Sequence, residues 1–222
     1  MGSKNKLQRF AENLTFENLF QYNFEQLINL PFEFKGSWSK SFFGNENPIV
    51  VELGCGKGEY TVGLAEKYPE KNFIGFDIKG ARLWKGLTLA REKGLKNVAF
   101  VRTKINHINY FFESEEVSEI WITFPDPQPQ ISRAKKRLTS PMFLERYKGV
   151  LRKDGVVHLK TDSQLLYDYT LEVIQEFSLP LMYHTADLYA TGDEMEVKSI
   201  RTYYEQIWLA QGLTIKYIRF RL

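Results

Sequence analysis

Asp126 stands between two prolines in Phe124-Pro125-Asp126-Pro127, at the end of the strand-forming run Ile120-Trp121-Ile122-Thr123. Each proline fixes its own φ and restricts the residue before it, so the carboxylate sits on a stiff stretch of backbone. In open α/β sheets, ligands bind at the carboxyl ends of strands. A basic run, Arg133-Ala134-Lys135-Lys136-Arg137, begins seven residues further on. An aimed carboxylate beside side chains that can hold phosphates points to an enzyme acting on a nucleic acid. The charge distribution agrees. The net charge is only +3, yet residues 132–160 carry nine Lys and Arg against two acidic residues. Such local excess marks a polyanion-binding face better than whole-chain charge does, although a solvated helix surface has the same composition.

A second group lies in Glu52-Leu53-Gly54-Cys55-Gly56-Lys57-Gly58, between the apolar run Ile49-Val50-Val51 and a helical stretch. Glycines let backbone approach a ligand closely, and a helix start offers unpaired N–H groups. Asp77 closes the next strand-like run, 19 residues after Gly58. An acid at that distance can take the hydroxyls of a ribose. A dinucleotide fingerprint would need glycine at position 59, where Glu59 stands, and no Gly-Lys-Ser/Thr phosphate loop occurs at this turn. Glu52 would repel a pyrophosphate but suits the ammonium and sulfonium of S-adenosylmethionine, which is therefore the expected cofactor. Cys55 reads as a small residue in a tight loop. His107, His158 and His184 lack metal-ligand spacing, so no metal is expected.

The elements that must position these groups alternate. Strands are expected over 48–53, 72–77, 97–101, 119–124, 156–160 and 214–222, with Asp154-Gly155 as the turn before the fifth. Helices are expected over 59–68, 81–93, 141–151 and 164–177, the third opened by Ser140 as cap and Pro141. Alternation of this kind implies an α/β fold with a largely parallel sheet covered by helices on both faces. Residues 1–45 mix aromatic and polar residues without a clean period. They read as an N-terminal extension, disordered at its start and partly docked after it, ahead of a catalytic domain over 46–222. One cysteine excludes an intrachain disulfide. No signal peptide and no bilayer-spanning apolar run is evident, so a soluble cytoplasmic protein is expected, monomeric or homodimeric, with no obligate protein partner.

Six segments in order resemble the bacterial tRNA (guanine-N7)-methyltransferase family. They are Val51–Gly58, Gly75-Phe76-Asp77, Phe124–Pro127, Lys135-Lys136-Arg137-Leu138, Lys160-Thr161-Asp162 and Thr202-Tyr203-Tyr204-Glu205. The resemblance implies a Rossmann-like class I methyltransferase fold. It also implies methyl transfer from S-adenosylmethionine to N7 of the variable-loop guanine, tRNA position 46. By the same resemblance, Glu52, Gly54, Gly56, Asp77 and Lys104 hold the cofactor. Asp126 is the catalytic residue, close to both cofactor and guanine. Gln130, Asp162, Thr202 and Glu205 fall on substrate-binding positions, and Arg133, Lys135, Lys136 and Arg137 are expected to meet tRNA phosphates.

The chain departs from that pattern at three places. Gln128 and Gln130 replace the tryptophan and lysine of the family's Asp-Pro-Trp-Pro-Lys, and Lys104 stands where an Asp or Asn contacts the adenine. A lysine cannot accept from the adenine amine, so a backbone contact, Thr103 or Asn106 would have to serve. Two expected sites also have plain structural readings: Asp162 as a cap on the following helix, and Thr202-x-x-Glu205 as a capping box. Two rivals to the family function remain: an exocyclic-amine methyltransferase acting on another RNA or a protein, and an RNA-binding module without catalysis. Gln128, where the amine enzymes place a stacking aromatic, weighs against the first. The complete glycine loop weighs against the second.

Overall fold

The computed structural model describes residues 5–192 and 195–222. The chain divides into two compact units, one ending at Phe112 and the other spanning Glu113–Leu222.

The first unit contains α1 (Lys6–Asn13), β1 (Leu19–Gln21), α2 (Phe24–Asn29), β2 (Ile49–Leu53), α3 (Glu59–Lys67), β3 (Asn72–Asp77), α4 (Gly80–Glu92) and β4 (Val98–Arg102). Its strands run in the order β1-β4-β3-β2, and each pairing is parallel. β2 is buried at every position, Glu52 included, as expected of a strand covered on both faces. Phe100 on β4 packs where Gly58, Gly75 and Gly86 leave room: a Cβ at any of them would lie 2.7–2.8 Å from its ring.

Residues 16–43 have no helical or strand period because aromatic packing organises them. Trp38 has no exposed surface and donates from Nε1 to the Phe111 carbonyl at 2.8 Å. Phe20 meets Trp38 edge-on at 5.1 Å, and Phe32 lies 5.1 Å from the same indole. Each such pair adds about 0.5–1.5 kcal/mol beyond its buried area. β1 lines up beside β4 through Leu19–Phe100, Phe20–Val101 and Gln21–Arg102. The segment read as a partly docked extension thus contributes an edge strand. Residues 1–4, its start, lie outside the described residues.

The second unit contains β5 (Val117–Thr123), α5 (Pro141–Lys148), β6 (Leu151–Thr161), α6 (Gln164–Glu176), β7 (Leu181–Thr185), α7 (Met195–Lys198), α8 (Tyr203–Ala210) and β8 (Lys216–Arg221). β5 and β6 are parallel, and β8 runs antiparallel between β6 and β7. The Asp154-Gly155 pair, expected as a turn, lies inside β6, where the register against β5 shifts between Val117 and Glu119. The glycine is forced by packing, since a Cβ there would meet Leu151 Cγ at 2.5 Å. Ile218 and Phe220 are fully buried on one face of β8, as their alternation implies. No described helix is long and apolar enough to cross a membrane.

Candidate functional site

In the first unit, the turn from β2 to α3 is built on three glycines with positive φ: Gly54 at 76°, Gly56 at 58° and Gly58 at 69°. Gly54 and Cys55 both donate to the Phe76 carbonyl, at 2.8 and 3.0 Å, which ties the loop to the end of β3. Gly56 is open: a Cβ there would meet nothing nearer than the Gly54 carbonyl at 4.0 Å. Gly58 caps α3 without a side chain to offer. The buried Glu52 supplies what it lacks, its Oε2 accepting from the Thr61 N–H at 2.8 Å and from the Thr61 hydroxyl. A carboxylate in the first turn also complements the helix dipole.

Asp77 is held by backbone as well. Its Oδ2 accepts from Gly56 N–H at 2.9 Å and its Oδ1 from Lys79 N–H at 2.7 Å. Each carboxylate oxygen keeps a second lone pair for a ligand. The two acids give the loop a negative field, legible at Cys55: burial, then Glu52 and Asp77, push its thiol pKa well above the usual range. Lys104 is exposed and precedes a short 3-10 turn, Ile105–Tyr110. Thr103 is buried, its hydroxyl 3.2 Å from His107 Nδ1.

In the second unit, Asp126 is exposed on an unusual piece of backbone. Phe124 and Gln128, on either side of the Pro-Asp-Pro triplet, both have φ of 47°. A non-glycine residue held there costs on the order of 1–3 kcal/mol and persists only where its surroundings impose it. Those surroundings are visible. Phe124 N–H donates to the Lys160 carbonyl at 2.8 Å, and Gln128 N–H donates to Asp126 Oδ1 at 3.0 Å. Arg137 closes the far side, with Nε donating to the Pro127 carbonyl at 3.2 Å and Nη2 to the Gln128 carbonyl at 3.2 Å. Its guanidinium lies 4.3 Å from the Tyr169 ring centre.

Arg137 is thus the exception within the basic run. Arg133, Lys135 and Lys136 are exposed on the 3-10 turn Ile131–Lys136, and Gln130 is exposed just before it. Arg137 is buried and holds the Asp126 loop, so its guanidinium is engaged while the charges of the other three face solvent. The run's uniform charge gave no sign of this division; it depends on a helical phase that five residues cannot show.

Asp162 does not cap α6. Ser163 does, accepting from Leu166 N–H at 3.3 Å, so the Asp162 side chain is left without that task. Lys216 Nζ donates to the Asp162 carbonyl at 3.0 Å and fixes the backbone there. Thr202 and Glu205 form the expected capping box on α8. Glu205, however, is fully buried and lies 2.7 Å from Lys160 Nζ; it also accepts from the Tyr189 hydroxyl at 2.7 Å. Lys160 further donates to the carbonyls of Val197, at 3.0 Å, and Ile200, at 3.2 Å. Burial lowers the Lys160 pKa against the opposing pull of Glu205. The Glu205 carboxylate is thus engaged with Lys160, Tyr189 and the helix start, and it holds the segment that carries Thr202. Lys160 lies in one of the six matching segments, but its role was not legible there, since a lysine in a strand carries no signal of its partner 45 positions away. Among the described residues, no cluster of His, Cys, Asp and Glu is placed to hold a metal ion.

A family model described as a putative methyltransferase matches residues 46–218. A tRNA (guanine-N(7)-)-methyltransferase of Christiangramia forsetii is 55% identical over the whole of both chains. The chain belongs to this methyltransferase family. A relative of the same name from Bacteroides thetaiotaomicron is 52% identical, covering 99% of this chain and 86% of its own. One from Levilactobacillus brevis is 37% identical over 85% of this chain and 86% of its own. Among solved structures, the 16S rRNA methyltransferase KamB superposes with a TM-score of 0.63 at 15% identity, covering 86% of this chain and 95% of that one. A SAM-dependent methyltransferase from Aquifex aeolicus gives 0.54 at 13% identity, over 90% and 98% of the two chains. These likenesses establish the Rossmann-like α/β fold of class I methyltransferases.

Proposed function

We propose that this protein transfers a methyl group from S-adenosylmethionine to N7 of a guanine in tRNA, the variable-loop guanine at position 46. The observation that carries the reading is the exposed Asp126 carboxylate, held between two left-handed residues and clamped by Arg137. When bound, S-adenosylmethionine supplies an electrophilic methyl group on a sulfonium.

The residues fit that cofactor. The open backbone at Gly56 admits it closely, Asp77 takes its ribose hydroxyls, and the negative field of the loop suits its cationic end. Glu52 acts from beneath, by fixing the start of α3.

Guanine N7 carries a free in-plane lone pair at neutral pH, so no base has to deprotonate it. The protein's task is to hold the ring in line and to stabilise the positive charge that methylation places on it. Asp126 does both, accepting from guanine N–H groups and offering fixed negative charge; adenine presents no matching pair of donors. Asp162 shares the recognition. Thr202 faces the substrate from the start of α8, while Glu205 and Lys160 hold that segment in place. Arg133, Lys135 and Lys136 meet phosphates, which position the RNA without reading it. Gln130 offers a neutral contact beside them. Such a protein works in the cytoplasm, where its tRNA is.

The test is mass-spectrometric nucleoside analysis of unmodified tRNA after incubation with protein and cofactor. 7-Methylguanosine is expected. A methylated exocyclic amine, or no product from protein that binds tRNA, would replace this reading with one of its rivals.

A further inference from the structure

β1 lies parallel beside β4, with Gln21 opposite Arg102. Parallel neighbours end on the same side of a sheet, so the residues after β1 emerge where those after β3 and β4 do, at the ligand-binding edge. A cleft of about 490 Å³ follows, lined by Tyr22, Asn23 and Phe24 together with Ile78, Thr103 and Lys104. Ile78 directly follows Asp77, and Lys104 occupies the position to which the family resemblance gives the adenine contact. Phe24 is half-exposed, 52%, and its ring stacks on His107 at 5.1 Å and 29°. Asn23 and Gln26 bind each other reciprocally: Asn23 Oδ1 accepts from Gln26 N–H at 2.8 Å, and Gln26 Oε1 accepts from Asn23 N–H at 2.9 Å. Both carboxamide oxygens are thereby engaged, which leaves their NH2 groups as the donors these side chains can offer a ligand.

We propose that Tyr22–Gln26 form part of the adenine seat of the cofactor site. Phe24 gives the purine an aromatic face, and the Asn23 and Gln26 amides donate to its ring nitrogens. The N-terminal segment thus adds an aromatic face and neutral donors beside Lys104, whose point charge offers no ring surface. The inference rests on the cofactor reading above.

Isothermal titration of the full chain with S-adenosylhomocysteine tests it, alongside steady-state kinetics. Phe24→Ala is expected to weaken binding about tenfold, the scale of one lost base–aromatic stack. The KM for S-adenosylmethionine rises in step, while kcat at saturation and the tRNA KM stay unchanged. Phe24→Leu, which keeps apolar bulk without the ring face, shifts affinity the same way by less and serves if the alanine variant fails to fold. Affinity within twofold of wild type in a folded variant overturns the inference and leaves the cofactor reading intact. A raised tRNA KM with unchanged cofactor affinity also overturns it, making the cleft an RNA seat. If the wild-type chain does not bind S-adenosylhomocysteine and Asp77→Ala changes nothing, the cofactor reading itself falls, and the inference with it.

Discussion

The glycine loop and the Asp126 loop both hold carboxylates with nearby backbone N–H groups, but their backbones are shaped in different ways. Glu52 and Asp77 are fixed by N–H groups of adjoining backbone, within a turn shaped by glycines that adopt positive φ at little cost. Asp126 is exposed, and the strained residues around it, Phe124 and Gln128, are held by the Lys160 carbonyl and by Arg137. A small cofactor can be met by a cradle complete in itself. A base carried on a large polyanion has to be met by side chains in solvent, so their aim must come from buried groups behind them. In the second unit those groups are Arg137 and the Lys160–Glu205 pair.

The largest expected effect falls on the exposed carboxylate. Asp126→Asn should lower turnover about 10²–10³-fold, the range for removing a preorganised charge stabiliser, with little change in tRNA KM. Steady-state kinetics over a tRNA series checks it. A rise in KM without loss of turnover would reduce Asp126 to a binding contact.

The buried support comes next. Lys160→Met should destabilise the protein by about 3–5 kcal/mol, because it strands the Glu205 charge inside. Denaturant unfolding measures this. Lys160→Met combined with Glu205→Met should recover most of the stability but leave the tRNA KM raised. Full recovery of both would make the pair a packing feature with no bearing on Thr202.

Much of the first unit was legible in the sequence. Short apolar runs marked β2 and β3, helical spacing marked α4, and the glycines marked the turn, because each signal is local. The support in the second unit was not legible. Lys160 finds Glu205, and Arg137 finds the Gln128 carbonyl, only after strands and loops have packed. The N-terminal strand escaped for a related reason: Trp38, Phe20 and Phe32 form a cluster whose order is spatial and leaves no period along the chain. Capping signals carried further. Thr202-x-x-Glu205 marked the start of α8 correctly, although the carboxylate's further engagement with Lys160 was hidden.

Smaller effects sharpen the contrast. Lys135→Ala with Lys136→Ala should raise the tRNA KM and reduce the slope of log affinity against log salt by about two, one per phosphate contact. Arg137→Ala should instead lower stability and turnover and leave that slope nearly unchanged, since its guanidinium is buried. In the first unit, Cys55 should resist thiol labelling at pH 8 in the native protein and react on unfolding, because burial and the two acids hold its pKa up. Rapid native labelling would show the loop to be open, against the cradle described.

The division of labour between the two loops is tested most directly by one paired measurement: single-turnover methyl transfer by Asp77→Asn and Asp126→Asn, with cofactor affinity determined for each. The account predicts that Asp77→Asn weakens cofactor binding yet transfers at near wild-type rate once saturated. Asp126→Asn should bind cofactor and tRNA normally and transfer slowly. A wild-type single-turnover rate for Asp126→Asn would contradict it.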